Sequence, residues 1–301
     1  MMDVTAIIDS DIAYASDTPA EVTLQPGGVA ANTAAWMASE GHAVTVVGCV
    51  GDDPFGRDIA RELAALGADV RLQTTSARGT GTCIVIVDRR RERTMFPDSG
   101  ANAELDAEVA CEAVTPGCHV HLSGYSLFNA ATRDAALAIL AAARAVGATC
   151  SLDAASAAPL RAHRDLVTEL LPAFDLLLAN ADEACVLSGL EDPHDAAAAL
   201  AGIVPTAVVK TGSRGVIAHD RAGFLVQPAP VTELVDTTGA GDAFTAGFLP
   251  VWLAHEPLGW RPTILEVTVR RYRCTGCGHV WRQDTSRAAE PRAKLSRRGL
   301  R

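Results

Sequence analysis

The sequence predicts an α/β fold built on a doubly wound, mainly parallel sheet with helices on both faces. Strand-like and helix-like segments alternate from His119 to His219, which is typical of such a sheet with ligands at the carboxyl ends of its strands. Hydrophobic residues make up 49% of the 301-residue chain and aromatic residues only 5%, so the core must consist mainly of Ala, Val, Leu and Ile.

Apolar runs and glycine stops predict the individual elements in chain order. The first half should contain helices and short strands, at 28–41, 44–50, 55–66, 70–73 and 82–88. The second half should alternate more regularly, with strands at 119–123, 148–153, 175–179 and 206–210 and a hairpin from 215. Helices should separate these strands, at 130–146, 159–171 and 182–187.

Two broad classes of protein are not favoured by the composition. The sequence has no run of 18 apolar residues and no basic-then-apolar start, so neither a membrane span nor a signal peptide is expected. The eight cysteines are scattered apart from one Cys-x-x-Cys pair, which indicates a reducing compartment rather than a disulfide framework. We therefore expect a cytoplasmic protein without a membrane partner.

The charge is unevenly distributed along the chain. The formal net charge is −10, yet residues 256–301 contain ten Arg and one Lys against four acidic residues. A basic tail on an acidic body predicts two segments of different origin, 1–250 and 256–301.

The stretch 236–244, Asp-Thr-Thr-Gly-Ala-Gly-Asp-Ala-Phe, carries the clearest chemistry. Gly239, Ala240 and Gly241 permit a tight turn into an apolar helix, whose N-terminus suits an anion. Asp242 places one carboxylate in the first turn, where it could accept a proton from a hydroxyl that attacks a phosphate. The alternative is an ordinary turn with an acidic residue at a helix start.

This stretch resembles the C-terminal signature of the ribokinase-like (PfkB) carbohydrate kinases. Roughly 200 residues earlier, Gly27-Gly28-Val-Ala-Ala-Asn32 and the run 47–56 resemble that family's N-terminal signature. The resemblance covers roughly residues 3–250. It implies a ribokinase-like kinase domain with a small β lid, and an ATP-dependent phosphorylation of a sugar, nucleoside or related polyol.

The resemblance also implies roles for individual residues. Asp242 would be the catalytic base, and the amides of Gly239, Ala240 and Gly241 would stabilise the transferring phosphoryl group. The acceptor side would be formed by Asp3, by the hinge pair Gly27 and Gly28, and by Asn32 and Asn102. A solvated N-terminal residue is the alternative for Asp3, and a plain loop and helix start are the alternative for Gly27, Gly28 and Asn32.

On the nucleotide side, the resemblance assigns Asn180 and Glu183 to the ordering of Mg²⁺ and phosphates, whereas a helix-capping pair is the alternative. The loop containing Lys210, Thr211, Gly212 and Gly215 would surround the phosphates and ribose of ATP. Asp236 and Thr238 match positions that bind a monovalent cation such as K⁺ in some relatives.

The resemblance breaks at both ends. Relatives have a strand before the residue that matches Asp3, and the kinase pattern stops after Leu249, so we expect a truncated domain of reduced stability. The alternative function is therefore a catalytically inactive kinase remnant. The exposed edge of the lid also suggests a homodimer.

The tail is similar to the zinc-finger region of transposases from bacterial insertion sequences. Cys274, Cys277 and His279 have the spacing of a zinc knuckle, but three ligands do not close a structural zinc site. A zinc-ribbon-like fragment with weak, nonspecific nucleic-acid contact is the resulting expectation, and zinc binding itself stays open.

Overall fold

The main sheet confirms the predicted α/β class. The computed structural model describes residues 1–90, 92–231 and 239–254. Six strands form the main sheet in the order β12-β11-β10-β9-β8-β7, with β7 to β10 parallel and β11 and β12 antiparallel. Its strands are β7 (His119–Ser123), β8 (Thr149–Asp153), β9 (Leu176–Asn180), β10 (Thr206–Lys210), β11 (Val216–Asp220) and β12 (Gly223–Gln227).

A second sheet of four strands forms the predicted lid. It consists of β1 (Met2–Ile7), β2 (Glu21–Pro26), β5 (Thr82–Val87) and β6 (Arg93–Asp98), in the order β2-β1-β5-β6. Strand β1 pairs in parallel with β5 and antiparallel with β2. The segment that contains Asp3 is therefore a central lid strand, which is a correction of the solvated-end alternative. Neither β1 nor β2 was predicted.

Strands β3 (Thr45–Gly51) and β4 (Asp69–Thr75) form a separate parallel pair. Beside them lies an apolar cluster that includes Met2, Ala34, Ala38, Ile59 and Leu63. Met2 from the lid strand packs into this cluster, so the base of the lid is held by the helices that follow it.

The helices agree only in part with the predictions. The segment predicted as one helix at 159–171 is two helices that meet at His163, and the helices Ala107–Cys111, Tyr125–Phe128 and Pro193–Ala201 were not predicted. Their bounds are α1 (Val29–Ser39), α2 (Pro54–Ala65), α3 (Ala107–Cys111), α4 (Tyr125–Phe128), α5 (Ala130–Ala145), α6 (Ala157–Ala162), α7 (Arg164–Leu170), α8 (Ala181–Ser188), α9 (Pro193–Ala201) and α10 (Ala240–Leu253).

The largest apolar cluster lies between the main sheet and the helices on one face. It is built mainly from small aliphatic side chains, with Phe174 as one of its few aromatic members. Leu176 and Leu178 point to the opposite face of β9, where they pack with Phe248 and Leu249 of α10. The sheet is thus covered on both faces, as the doubly wound prediction requires. No helix in the described ranges is long and apolar enough to cross a membrane.

Replacing Phe174 by Ala should lower the free energy of unfolding by about 3–5 kcal/mol, because this ring is 1% exposed and its loss leaves a cavity. Urea denaturation followed by circular dichroism measures the change. Phe224→Ala is the matched control: that ring is 63% exposed, and its removal should cost about 1 kcal/mol or less. Equal losses for the two variants would contradict this account of the core.

Candidate active site

The N-terminus of α10 is the centre of the candidate site. Gly239 begins the helix in a left-handed conformation (φ 69°), and no side chain of the described residues caps its first amides. These amides can therefore bind an anion. Asn32 Nδ2 of α1 donates a 2.8 Å hydrogen bond to Asp242 Oδ2 in the first turn of α10. The two signature motifs, 210 residues apart in the chain, thus meet directly.

Burial raises the pKa of Asp242 above its ordinary value, although the hydrogen bond from Asn32 works against this shift. The carboxylates of Asp153 and Asp3 also raise the pKa of Asp242, and the Lys210 ammonium lowers it. A carboxylate with a raised pKa is a better proton acceptor at neutral pH than an ordinary aspartate. The environment therefore suits Asp242 to the role of a general base.

Asp3 approaches the glycine pair at the start of α1. A Cβ atom added to Gly27 would lie within 2.5 Å of three atoms of the Asp3 carboxyl group, so only glycine permits this approach. Gly28 has a φ of 103° and caps α1. Burial raises the pKa of Asp3. The lid carboxylate and the glycine pair are therefore in contact, beside the helix that carries Asn32.

Asp153 was missed by the sequence analysis. It is the last residue of β8, and Lys210 Nζ, at the end of β10, donates to its Oδ2 at 3.1 Å. Both side chains are largely buried, with 18% of Lys210 and 7% of Asp153 exposed. A Cβ atom on Gly241 would lie 3.4 Å from Lys210 Nζ, so the ammonium also faces the first turn of α10. The position of Asp153 at the carboxyl end of a parallel strand was the available signal.

Asn180 and Glu183 form a capping box at the start of α8. Glu183 N donates to Asn180 Oδ1 at 2.9 Å, and Asn180 N donates to Glu183 Oε2 at 2.7 Å. The capping alternative is thus realised. Glu183 is also 3% exposed, and burial raises its pKa to about 7. The Asp153 carboxylate raises the pKa of Glu183 and the Lys210 ammonium lowers it. The Glu183 carboxyl group is therefore near both side chains, at the same end of the sheet as Asp242.

The loop after β10 is a tight turn. Thr211 donates to Gly215 O through both its N–H, at 2.8 Å, and its Oγ1, at 2.9 Å. Gly212 and Gly215 have φ values of 62° and 100°. A Cβ atom on Gly215 would lie 1.9 Å from Gln227 O, which leaves glycine as the residue that fits. The turn holds Lys210 at the strand end, close to α10.

Asp53, within the N-terminal signature, supports the lid. Its carboxylate caps α2 through Gly56 N at 2.9 Å, and it accepts from Thr80 N and Thr80 Oγ1 at 2.6 and 2.7 Å. Thr80 lies just before the lid strand β5, so these hydrogen bonds fix the position at which that strand begins. The side-chain amide of Asn102, a predicted acceptor residue, donates a hydrogen bond to Ser99 O at 3.1 Å within its own loop. It forms no hydrogen bond with Asp3 or Asp242.

His119 and His121, whose spacing could suggest a metal pair, are bound by hydroxyl groups of β8. His119 lies 2.8 Å from Thr149 Oγ1, and both histidines lie 2.7 Å from Ser151 Oγ. Burial lowers the pKa of each to about 4. Within the described ranges there is no group of three or more His, Cys, Asp or Glu residues that could hold a metal ion.

Five residues of the predicted sites lie outside the described residues. They are the candidate K⁺ ligands Asp236 and Thr238 and the candidate zinc ligands Cys274, Cys277 and His279.

The stability of the protein should fall as the pH rises from about 4.5 to about 7, relative to a Glu183→Gln variant. The folded state keeps the Glu183 carboxyl protonated up to its pKa of about 7, whereas the unfolded chain releases that proton at its ordinary pKa near 4.5. Glutamine preserves the capping box and does not titrate. Urea denaturation of both proteins at pH 5 and pH 8 measures the effect. A difference in stability that is the same at both pH values would contradict it.

Comparison with known proteins connects this site to a family. The family model described as pfkB family carbohydrate kinase matches residues 1–259. A fructokinase from Klebsiella pneumoniae is 33% identical over 76% of this chain and 78% of its own length. An ATP-dependent ribose-1-phosphate kinase from Halopiger xanaduensis is 34% identical over 75% of this chain and 73% of its own. The crystal structure of adenosine kinase from Sinorhizobium meliloti superimposes with a TM-score of 0.76 at 27% identity, covering 86% of each chain.

The meeting of both signature motifs at the hydrogen bond between α1 and α10, together with this match along most of the chain, shows that the protein belongs to the pfkB family of carbohydrate kinases.

Proposed function

We propose that this chain transfers the γ-phosphoryl group of ATP to a hydroxyl group of a sugar or related polyol, with Asp242 as the catalytic base. One observation carries the assignment. The Asp242 carboxylate lies in the first turn of α10, accepts a hydrogen bond from Asn32 and faces Lys210. This places a proton acceptor directly beside an anion site, as phosphoryl transfer to a hydroxyl group requires.

Asp242 takes the proton from the attacking hydroxyl group. Its raised pKa favours this transfer near neutral pH, and the Asn32 amide fixes the orientation of the carboxylate. Asp3 and the Gly27–Gly28 turn hold the other hydroxyl groups of the acceptor beneath the lid.

Negative charge on the transferring group is stabilised by the amides from Gly239 to Asp242 at the start of α10 and by the Lys210 ammonium. Amides fixed by a helix need no reorientation during the reaction, so they stabilise the transition state at little cost. The turn from Thr211 to Gly215 keeps Lys210 in place and borders the nucleotide.

The residues present fit a Mg²⁺ ion held mainly by phosphate and water. Asp153 and Glu183 supply carboxylate oxygens at the strand ends, and Mg²⁺ commonly takes one or two protein carboxylates together with substrate phosphates. When bound, Mg²⁺ neutralises part of the phosphate charge. Binding would also favour the ionised form of Glu183 over the protonated form. The K⁺ site at Asp236 and Thr238 remains a proposal of the family resemblance.

Replacing Asp242 by Asn should lower kcat by about 10²–10⁴-fold without unfolding the protein, because the amide cannot accept the hydroxyl proton. Coupled ADP-release assays with a panel of sugars and nucleosides measure the loss, and chelation of Mg²⁺ should abolish turnover in the same assay. Asp134→Asn, on the exposed side of α5, is the matched control and should keep full activity.

An Asp242→Asn variant as active as the wild-type protein would reject Asp242 as the base. A folded wild-type protein with no turnover on any acceptor would instead favour the inactive remnant. The intact contacts among Asn32, Asp242, Lys210 and Asp153 argue for the active enzyme.

Residues 256–301 are proposed, from the tail's resemblance alone, to be a separate zinc-finger-like fragment with weak nucleic-acid contact. The zinc content of the purified protein tests the metal site: about one zinc per chain that falls on Cys274→Ser substitution is expected if Cys274, Cys277 and His279 bind it. No zinc above the level of the variant would reject the site. The homodimer through the lid also remains a proposal, and Leu24 and Phe96, 56% and 54% exposed on the two edge strands, support it.

The relatives leave the acceptor open. Their names describe kinases of a free sugar, of a nucleoside and of a phosphorylated sugar.

A further inference from the structure

We propose that a cavity between α5 and the bend from α6 to α7 binds a small organic phosphate, at a site separate from the one around Asp242. The cavity has a volume of about 330 Å³ and is lined by Arg133 and by residues 161–166. None of the residues placed at the candidate active site lines it. The inference therefore does not depend on the proposed function.

Positive charge dominates the lining of this cavity. It contains Arg133, Arg161 and Arg164 against one acidic residue, Asp165, which gives a formal charge of +2 (three minus one) when His163 is neutral. None of the three arginines forms an ion pair with a carboxylate of the described residues. The protein does not compensate this charge, so the cavity attracts an anion even though the whole chain has a formal net charge of −10.

Backbone carbonyl groups hold two of the arginines in place. Arg133 donates to the carbonyl oxygens of 127–128 at 2.8 and 3.3 Å, and Arg164 donates to those of 186–187 at 2.8 and 3.2 Å. A guanidinium group has five N–H donors and keeps its charge when it bonds a neutral carbonyl group, so each arginine retains donors for a ligand. Because both side chains are already restrained, an anion that binds them costs less side-chain entropy.

Arg161 differs from the other two arginines. It lies in the last turn of α6, is exposed, and forms no hydrogen bond or ion pair with the described residues. Its guanidinium group can therefore contact a ligand without giving up an existing contact.

His163 is the residue at which α6 ends and α7 begins. Its ring stacks on Phe128 with 5.4 Å between the centroids, and its Nδ1 lies 3.0 Å from Pro159 O. A carbonyl oxygen can only accept, so Nδ1 carries the proton in this hydrogen bond and Nε2 is the nitrogen left for a ligand. The imidazole is thus fixed on two sides where it lines the cavity.

The donors and the volume indicate the class of ligand. Guanidinium groups match the oxygen atoms of phosphate in bidentate hydrogen bonds, and a phosphate monoester carries about −1.5 to −2 charges at pH 7, close to the charge of the lining. Small-molecule sites have volumes of roughly 300–1,000 Å³, and a water molecule takes roughly 30 Å³. A cavity of about 330 Å³ has room for a short carbon skeleton beside the phosphate group, which favours a monoester over a free phosphate ion.

Calorimetry on the full-length protein tests the ligand class. Glycerol 3-phosphate, inorganic phosphate and glycerol are titrated with and without AMP-PNP and Mg²⁺, which occupy the proposed nucleotide site. We expect glycerol 3-phosphate to bind in both conditions and more tightly than inorganic phosphate, and glycerol not to bind. No binding of glycerol 3-phosphate, or inorganic phosphate that binds as tightly, would overturn the proposal.

A charge-removing variant tests the cavity itself. Arg161→Gln should weaken the binding of glycerol 3-phosphate roughly tenfold, because one charge-assisted hydrogen bond is lost. Its melting temperature should not change, since Arg161 has no contact to lose in the described part of the chain. Arg144→Gln, at an exposed arginine in the last turn of α5, is the matched control and should bind as the wild type does. Equal affinities of Arg161→Gln and the wild type would contradict the proposal.

Hydrogen–deuterium exchange locates the ligand. Glycerol 3-phosphate should slow exchange in the segment 157–170, which contains α6 and α7, and leave the start of α10 at 239–243 unchanged. Protection at 239–243 without protection at 157–170 would place the phosphate at the active site and reject the separate site.

Discussion

The buried ion pair between Asp153 and Lys210 is the constraint on which the site depends. It joins the ends of β8 and β10 across β9, and little of either side chain is exposed. Removing one partner would leave an uncompensated charge at low dielectric, which is strongly unfavourable. The pair thereby fixes the Lys210 ammonium beside α10. This ammonium is the positive charge that offsets the carboxylates of Asp153 and Asp242.

The fold class and much of the site could be predicted from the sequence, because the signature motifs and the regular strand–helix alternation are local patterns. The lid strands β1 and β2 could not, since Met2–Ile7 and Glu21–Pro26 acquire their partners only from distant segments. Asp153 was missed for a similar reason. A single aspartate after an apolar run does not reveal a site in the sequence, because its ion pair with the distant Lys210 forms only in the folded protein. At Asn180 the helix-capping alternative is realised, and the structure shows the capping box in a buried, acidic setting.

The capping contact of Glu183 is therefore compatible with its proposed role beside a bound cation. The Glu183 carboxyl group caps the N-terminus of α8, and burial raises its pKa to about 7. Such a group can release its proton when a cation binds beside it. The same logic applies to Asp242, whose hydrogen bond from Asn32 orients it while its neighbours raise its pKa. In both cases a structural contact orients a carboxyl group for its proposed role.

The hydrogen bond between Asn32 and Asp242 also bears on how the protein is made. Its partners are separated by 210 residues, and helices α1 and α10 pack against each other. Contacts of such sequence separation form late, because a long loop must close before they stabilise the chain. During synthesis the lid and most of the sheet emerge first, and the proposed reactive centre is assembled only when α10 docks. A nascent chain can thus be largely folded and still lack the proposed catalytic base, Asp242.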